Sequence, residues 1–344
     1  MESVAMRILS GMQPTGYLHL GNYIGALQNM VKLQNDRSKN PETFYFVADL
    51  HSLTSNQGNY KKETTDYIFN MVVDWIASGI DPEKSVIFLQ SDIPEHTELY
   101  TLLSMVTPIS WLERNPTYKE KMDEIKGRDL DNLGFLGYPV LQTADIALYM
   151  ADAVPVGKDQ VPHLEIAREI IRRFNFIYGE GTLIEPQPIL SAVPKLNGLD
   201  GRKMSKSYDN AIFLRDDEAA VKTRIMSMVT DVKRAFRKDP GHPDECNLFP
   251  YYLAFNCPED FVSNIRKTCQ SSELGCVDDK KNLIAVLNDY FADYRIKRAK
   301  IAGDKDSVMD ILKSGASRAR IVAGKTMEKV REAVGLSSAI RYGR

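Results

Sequence analysis

The chain has 344 residues, 43% of them hydrophobic and 26% charged, enough to bury a real core in one large or two moderate domains. No run of about 18 apolar residues occurs, and no basic segment followed by a long apolar stretch opens the chain, so neither a transmembrane helix nor a secretory signal is predicted and the cytoplasm is the expected compartment. The net charge of −2 does not single out a nucleic-acid binder, but 24 Lys/Arg face 19 Asp/Glu in residues 211–344 against 20 and 27 in residues 1–210, an asymmetry compatible with RNA contact at the C-terminal end.

In chain order, the apolar residues from Met6 to Leu9 read as the end of a buried strand, and Gly11, Pro14 and Gly16 break regular structure after it. Ile24, Leu27 and Val31 then recur at spacings of three and four, so Gly21-Asn22 is expected to open a helix. A strand, a glycine-bearing turn and a helix N-terminus make an anion site, because backbone N–H groups are free there and the helix dipole favours negative charge. His19 and Asn22 can donate to phosphate oxygens, and Gly21 lets a nucleotide approach the backbone. A plain turn capped by Asn22 is the bland alternative.

Phe44–Ala48 and Ser85–Gln90 read as strands, separated by an amphipathic stretch from Tyr60 to Ser78. Strand–helix–strand repeats imply parallel pairing, and an open α/β sheet binds ligands at the carboxyl ends of its strands, where the 11–16 turn, His51 and Ser91 all fall. Residues 107–137 mix prolines, glycines and charge and read as an irregular connection. Tyr138–Tyr149 reads as a helix with Pro139 in its first turn and Leu141, Asp145 and Leu148 on one face. Asp145 points either to solvent or into a site where it accepts a hydrogen bond, since an unpaired carboxylate is costly to bury. Val154–Gly157 is another strand end, and Lys158-Asp159-Gln160 begins a helix carrying His163, Glu165 and Arg168. Gly201-Arg202-Lys203-Met204-Ser205-Lys206-Ser207 sets two ammonium groups beside two hydroxyls, either a solvated basic turn or a loop for a polyanion whose charge grows during reaction. Beyond it the pattern is helical over 216–230, 258–268, 278–302 and 307–334.

The two loops together change the reading. His19-Leu20-Gly21-Asn22 resembles one signature of the class I aminoacyl-tRNA synthetases, and Lys203-Met204-Ser205-Lys206-Ser207 matches the other letter for letter. Within that class the stretches SGMQPTGYLHLGNYIGAL, ADLHSLT at 48–54, YPVLQTADIALY at 138–149 and VPVGKDQVPHLE at 154–165 resemble the tryptophan–tRNA ligase family of bacterial type. The resemblance implies an α/β fold: a Rossmann-like parallel-sheet catalytic domain over 1–210 and an all-α anticodon-binding domain over 211–344, its last helices packing back on the first. It implies activation of L-tryptophan with ATP and Mg²⁺, transfer of the adenylate to tRNA(Trp), and a homodimer. It places Gln13, Pro14, Thr15, Gly21, Asn22, Gly157, Lys158, Asp159, Val193, Lys203, Met204, Ser205, Lys206 and Ser207 at ATP, with His19, Asn22, Lys203, Ser205 and Lys206 in the chemistry. It places Asp145 on the indole N–H, with Gln142, Tyr138, His51, Val154, Val156 and Gln160 around the amino acid. Gln142 stands where many members have methionine, and a glutamine there also occurs in tyrosine–tRNA ligases, so tyrosine activation is one alternative and a non-catalytic tRNA-binding paralogue another.

All four cysteines lie in the C-terminal part. Cys246, Cys269 and Cys276 match three ligands of a Cys-x22-Cys-x6-Cys-x2-Cys pattern that holds a [4Fe–4S] cluster in a subset of the family, but the fourth position is Asp279. Three outcomes are open: a cluster completed by Asp279 or Cys257, a zinc site, or cysteines acting as small buried hydrophobes.

Overall fold

The structure, a computed structural model, describes residues 5–55, 62–115, 118, 131–157, 160–190 and 196–336. Five strands form one sheet: β1 Arg7–Met12, β2 Glu42–Val47, β3 Ser85–Leu89, β4 Ala153–Val156 and β5 Gln187–Leu190. They run in the order β3-β2-β1-β4-β5, every neighbouring pair parallel. Nearly every residue of β2 and β3 is buried, as expected for strands covered on both faces by crossover helices. The chain steps outward from β1 to β2 and β3, then crosses to the other side of β1 for β4. The switch between the two directions lies beside β1, and a doubly wound sheet binds ligands at such a point.

β1 extends past the expected break. Gly11 belongs to the strand, paired with Phe46 of β2, and a Cβ at Gly11 would come 2.5 Å from the Phe46 ring. The glycine is there for that ring, and the turn falls later, at Gly16 with φ +142°. The following helix starts at Leu20–Asn22 and passes through a π-helical turn, Tyr23–Leu27, into Gln28–Gln34. Its cap is His19 and not Asn22: the His19 ring accepts the Asn22 N–H while the Asn22 side chain accepts the His19 N–H.

Lys62–Ala77 is the crossover before β3, and Tyr138–Leu148 is buried at every position except Gln142. The stretch read as one helix over 278–302 is two, Cys276–Tyr290 and Ala292–Ala302, breaking at Phe291, whose ring packs among Tyr23, Phe255, Tyr290 and Tyr294. Among the described residues, the elements that escaped the sequence reading include β5 and the helices Asp49–Ser55, Glu95–Ser104 and Phe249–Ala254, and the stretch read as an irregular connection over 107–137 holds the short helices Ile109–Glu113 and Leu133–Leu136. The apolar core is continuous across residue 210, joining Leu20, Leu27 and Tyr45 to Ile212, Leu214, Tyr251 and Leu287. Asp74, on the crossover helix, accepts from Tyr294 Oη at 2.8 Å and Arg298 Nε at 2.7 Å. The final helix, Lys305–Ala333, lies along the edge strand β3 through Gly315, where a Cβ would sit 1.8 Å from the Ile87 carbonyl oxygen.

Candidate active site

A cavity of about 260 Å³ opens at the carboxyl ends of β1, β2 and β4, lined by Leu9, Ser10, Gly11, Gln13, Phe46, Ala48, His51, Tyr138, Gln142, Asp145, Ile146, Val154, Gln160 and His163. Its wall sets the apolar Leu9, Phe46, Ala48, Ile146 and Val154 beside polar side chains such as Gln13, Gln142, Gln160 and His163, and among the described residues Asp145 is its one carboxylate. Asp145 is 2% exposed. Its Oδ1 accepts from Gln90 Nε2 and His96 Nδ1, both at 2.7 Å, and its Oδ2 pairs with His51 Nε2 at 3.0 Å. Burial pushes its pKa up, but the hydrogen bonds from His51 and His96 outweigh burial and hold it at about 2. The solvent-facing alternative for Asp145 is thereby excluded. An ionised carboxylate has about four acceptor positions, and three donors among the described residues leave one on Oδ2.

The two signature loops meet beside this cavity. Lys206 Nζ donates to the Gly16 carbonyl at 2.9 Å, and the Gly21 N–H lies 3.3 Å from Met204 Sδ, contacts that span 190 and 183 residues of chain. Asn210 holds the second loop from behind: its Oδ1 accepts the Ser205 N–H at 2.8 Å and its amide donates to the Lys203 carbonyl. Lys206 is half-buried, and burial lowers its pKa to about 8 against a smaller upward pull from the Asp74 charge. His19 is brought down to about 4, by burial first and the Lys206 charge second. Its ring is thus neutral at neutral pH, and because Nδ1 accepts the Asn22 N–H the ring proton sits on Nε2.

Of the residues expected at the amino acid, His51, Tyr138, Gln142, Asp145, Val154 and Gln160 all line the cavity, whereas Val156 is buried in the core. Gln13, expected at ATP, lines the same cavity. Thr15 closes a tight turn onto the Gln13 carbonyl, Pro14 is buried, and the Gly157 carbonyl accepts the Gln160 N–H. Lys203 is exposed and bridged to Asn197; Ser207 falls in the short turn Lys206–Tyr208. Lys158, Asp159 and Val193 lie outside the described residues.

Cys246, Cys269 and Cys276 lie near one another and near Asp279. Among the described residues no group of three or more His, Cys, Asp or Glu is arranged to hold a metal ion. The Asp279 carboxylate accepts from Tyr252 Oη at 2.7 Å, and burial pushes the Cys246 thiol up to about 11. Arg234 Nη1 stands 4.0 Å from Cys276 Sγ. This donor set does not fit a [4Fe–4S] cluster, and Cys246 and Cys269 are buried in the manner of small hydrophobes.

Sequence reasoning missed His96, Gln90 and Tyr149 around Asp145, and Asn210 behind the second loop. His96 and Gln90 come from the neighbourhood of β3, far from Asp145 in sequence, and only the parallel sheet brings them together. Gln90, a polar residue closing the apolar run from Ser85, was an available signal, whereas His96 stands among polar neighbours that hide it.

The family described as tRNA synthetases class I (W and Y) matches residues 1–292. The tryptophan–tRNA ligase of Thermotoga maritima is 49% identical over 96% of this chain and 99% of its own length, and that of Aquifex aeolicus 38% identical over 96% and 100%. The crystal structure of tryptophanyl-tRNA synthetase from Campylobacter jejuni complexed with ADP and tryptophan superposes with a TM-score of 0.85 at 37% identity, covering 96% of this chain and all of that one. With the fold, the paired loops and matches along nearly the whole length in agreement, the chain belongs to the class I tRNA synthetases for tryptophan and tyrosine, among the tryptophan–tRNA ligases.

Proposed function

We infer that the chain activates L-tryptophan with ATP and transfers the tryptophanyl group to tRNA(Trp), releasing pyrophosphate and then AMP. The observation that carries this reading is the cavity: apolar side chains at Leu9, Phe46, Ile146 and Val154 facing one ionised, partly satisfied carboxylate suit an indole, which is an apolar ring bearing a single N–H. Asp145 accepts that N–H, with His51, Tyr138, Gln142, Val154 and Gln160 around the amino acid. The tryptophan carboxylate attacks the α-phosphorus in line, an anhydride bond breaks and pyrophosphate leaves. No protein nucleophile is required; catalysis is positioning plus stabilisation of charge on the phosphates. The 13–22 loop holds the triphosphate, the neutral His19 donates from Nε2, and Lys203 and Lys206 take up the charge that moves onto pyrophosphate. Mg²⁺ accompanies ATP, as in aminoacyl-tRNA synthetases generally.

We assign the catalytic role to residues 1–210 and anticodon binding to the helical residues 211–344, with a homodimer in the cytoplasm. The exposed apolar side chains Met105, Ile109 and Leu133 support an interface in that part of the chain. No described helix is long and apolar enough to cross a membrane. The deciding experiment is amino-acid-dependent ATP–pyrophosphate exchange followed by charging of tRNA(Trp): exchange with tryptophan is expected. Exchange with tyrosine alone would make the chain a tyrosine enzyme, and tRNA binding without any exchange would make it a non-catalytic paralogue.

A further inference from the structure

His96 is fully buried and is not among the residues that line the cavity, yet it makes one of the two shortest contacts to Asp145. Its other ring nitrogen, Nε2, meets Tyr149 Oη at 2.8 Å, and Tyr149 is itself fully buried. The ring is boxed by Phe46, Phe88 and Tyr149, with centroids 6.1, 6.4 and 5.5 Å away. Inside such an apolar box a polar ring is retained only if both nitrogens are satisfied. Because Asp145 is an acceptor, Nδ1 must carry a proton; in that tautomer Nε2 accepts from the Tyr149 hydroxyl.

We propose that Tyr149 and His96 form a positioning relay that fixes the tautomer of His96 and thereby the orientation of Asp145, so that the open acceptor position on Oδ2 faces the indole N–H. The relay is a specificity device for the amino-acid site and rests on the tryptophan reading of Asp145. The geometry supports it on three counts. His96 and Gln90 both engage Oδ1, the oxygen that the substrate does not need. His51, which does line the cavity, engages Oδ2. The carboxylate is thus clamped from behind on one oxygen and left one acceptor position on the other. A carboxylate free to rotate would present either oxygen and lose the distinction between a ring with an N–H and one without it.

The test is ATP–pyrophosphate exchange by the full chain with L-tryptophan and with its benzothienyl analogue, in which sulfur replaces the indole N–H. The unaltered chain is expected to favour tryptophan strongly in kcat/KM; a ratio near one would refute the Asp145 reading itself. His96→Phe keeps the aromatic box and removes both nitrogens. Its ratio is expected to fall by about tenfold or more, through a raised KM for tryptophan with kcat and the KM for ATP nearly unchanged. His96→Asn, which can donate near the Nδ1 position, should restore part of the ratio. Tyr149→Phe, which deletes one oxygen, should lower it by about threefold, and it carries the test alone if thermal melting shows that His96→Phe does not fold. Equal losses on both substrates, or an unchanged ratio in Tyr149→Phe, would make the pair mere packing and overturn the proposal.

Discussion

The cavity around Asp145 and the two signature loops hold charge in opposite ways. In the cavity, Asp145 receives three N–H donors and stays ionised despite burial, so the recognition element we propose is complete before any substrate arrives. At the loops, the hydrogen-bond partner of Lys206 among the described residues is a carbonyl oxygen at 2.9 Å, and burial lowers its pKa to about 8. One region is preorganised; the other carries an incompletely balanced cation that an incoming polyanion would stabilise. Specificity benefits from the first arrangement, because a rigid acceptor rejects a ligand that leaves it unpaired. Phosphoryl chemistry benefits from the second, because a lysine that gains its partner as charge develops favours the transition state over the resting state.

The sharpest way to break the comparison is Asp145→Asn. It keeps the shape but presents an amide to three donors built for a carboxylate, and should lower kcat/KM for tryptophan by about 100-fold or more, read by exchange at varied tryptophan. A loss below about threefold would mean that the acceptor is not the specificity element. Next, Lys206→Ala should lower the rate of tryptophan activation by about 100-fold while calorimetric tryptophan affinity stays within about twofold. Equal loss of both would erase the distinction between the regions.

The third test uses pH. Lys206 is charged below its pKa of about 8 and neutral above it, so kcat/KM for ATP, which reports the free chain, should be level up to about pH 8 and decline beyond it. Lys206→Arg should move that decline upward, since a guanidinium does not deprotonate in this range. A decline that stays in place would assign it to another group. The smallest effect is expected for Met204→Leu, which keeps volume but removes the sulfur facing the Gly21 N–H. With the thioether gone, that N–H has one competitor fewer, and the KM for ATP should fall by about twofold with the tryptophan KM unchanged.

The two regions also differed in how far they could be read from the sequence. The loops are local signals: glycines, lysines and a strand-to-helix turn lie within a few residues of one another, and the structure brings the two stretches together at Gly16–Lys206 and Gly21–Met204. Asp145 was legible as an acid on an apolar helix, and His51 as a residue just beyond a strand. Its other partners were not, because Gln90 and His96 reach Asp145 only through the order β3-β2-β1-β4-β5, which no local pattern encodes. Gly11 misled for the same reason: it reads as a turn residue, but the Phe46 ring on the neighbouring strand demands it. At the cysteines, spacing left a cluster open, while the hydroxyl that occupies the fourth-position carboxylate, Tyr252 on Asp279, comes from elsewhere in the chain.

The contact of Gly315 with the Ile87 carbonyl also bears on how the molecule is made. β3 is an edge strand, and an uncovered edge invites pairing with other chains. Its cover is the helix Lys305–Ala333, which is synthesised long after the strand it shields. Until that helix emerges the sheet carries an unguarded border, and a nascent or prematurely terminated chain lacking it would be prone to aggregate and to recruit chaperones. The absence of a side chain at Gly315 lets the guard seat directly against the strand backbone once it arrives.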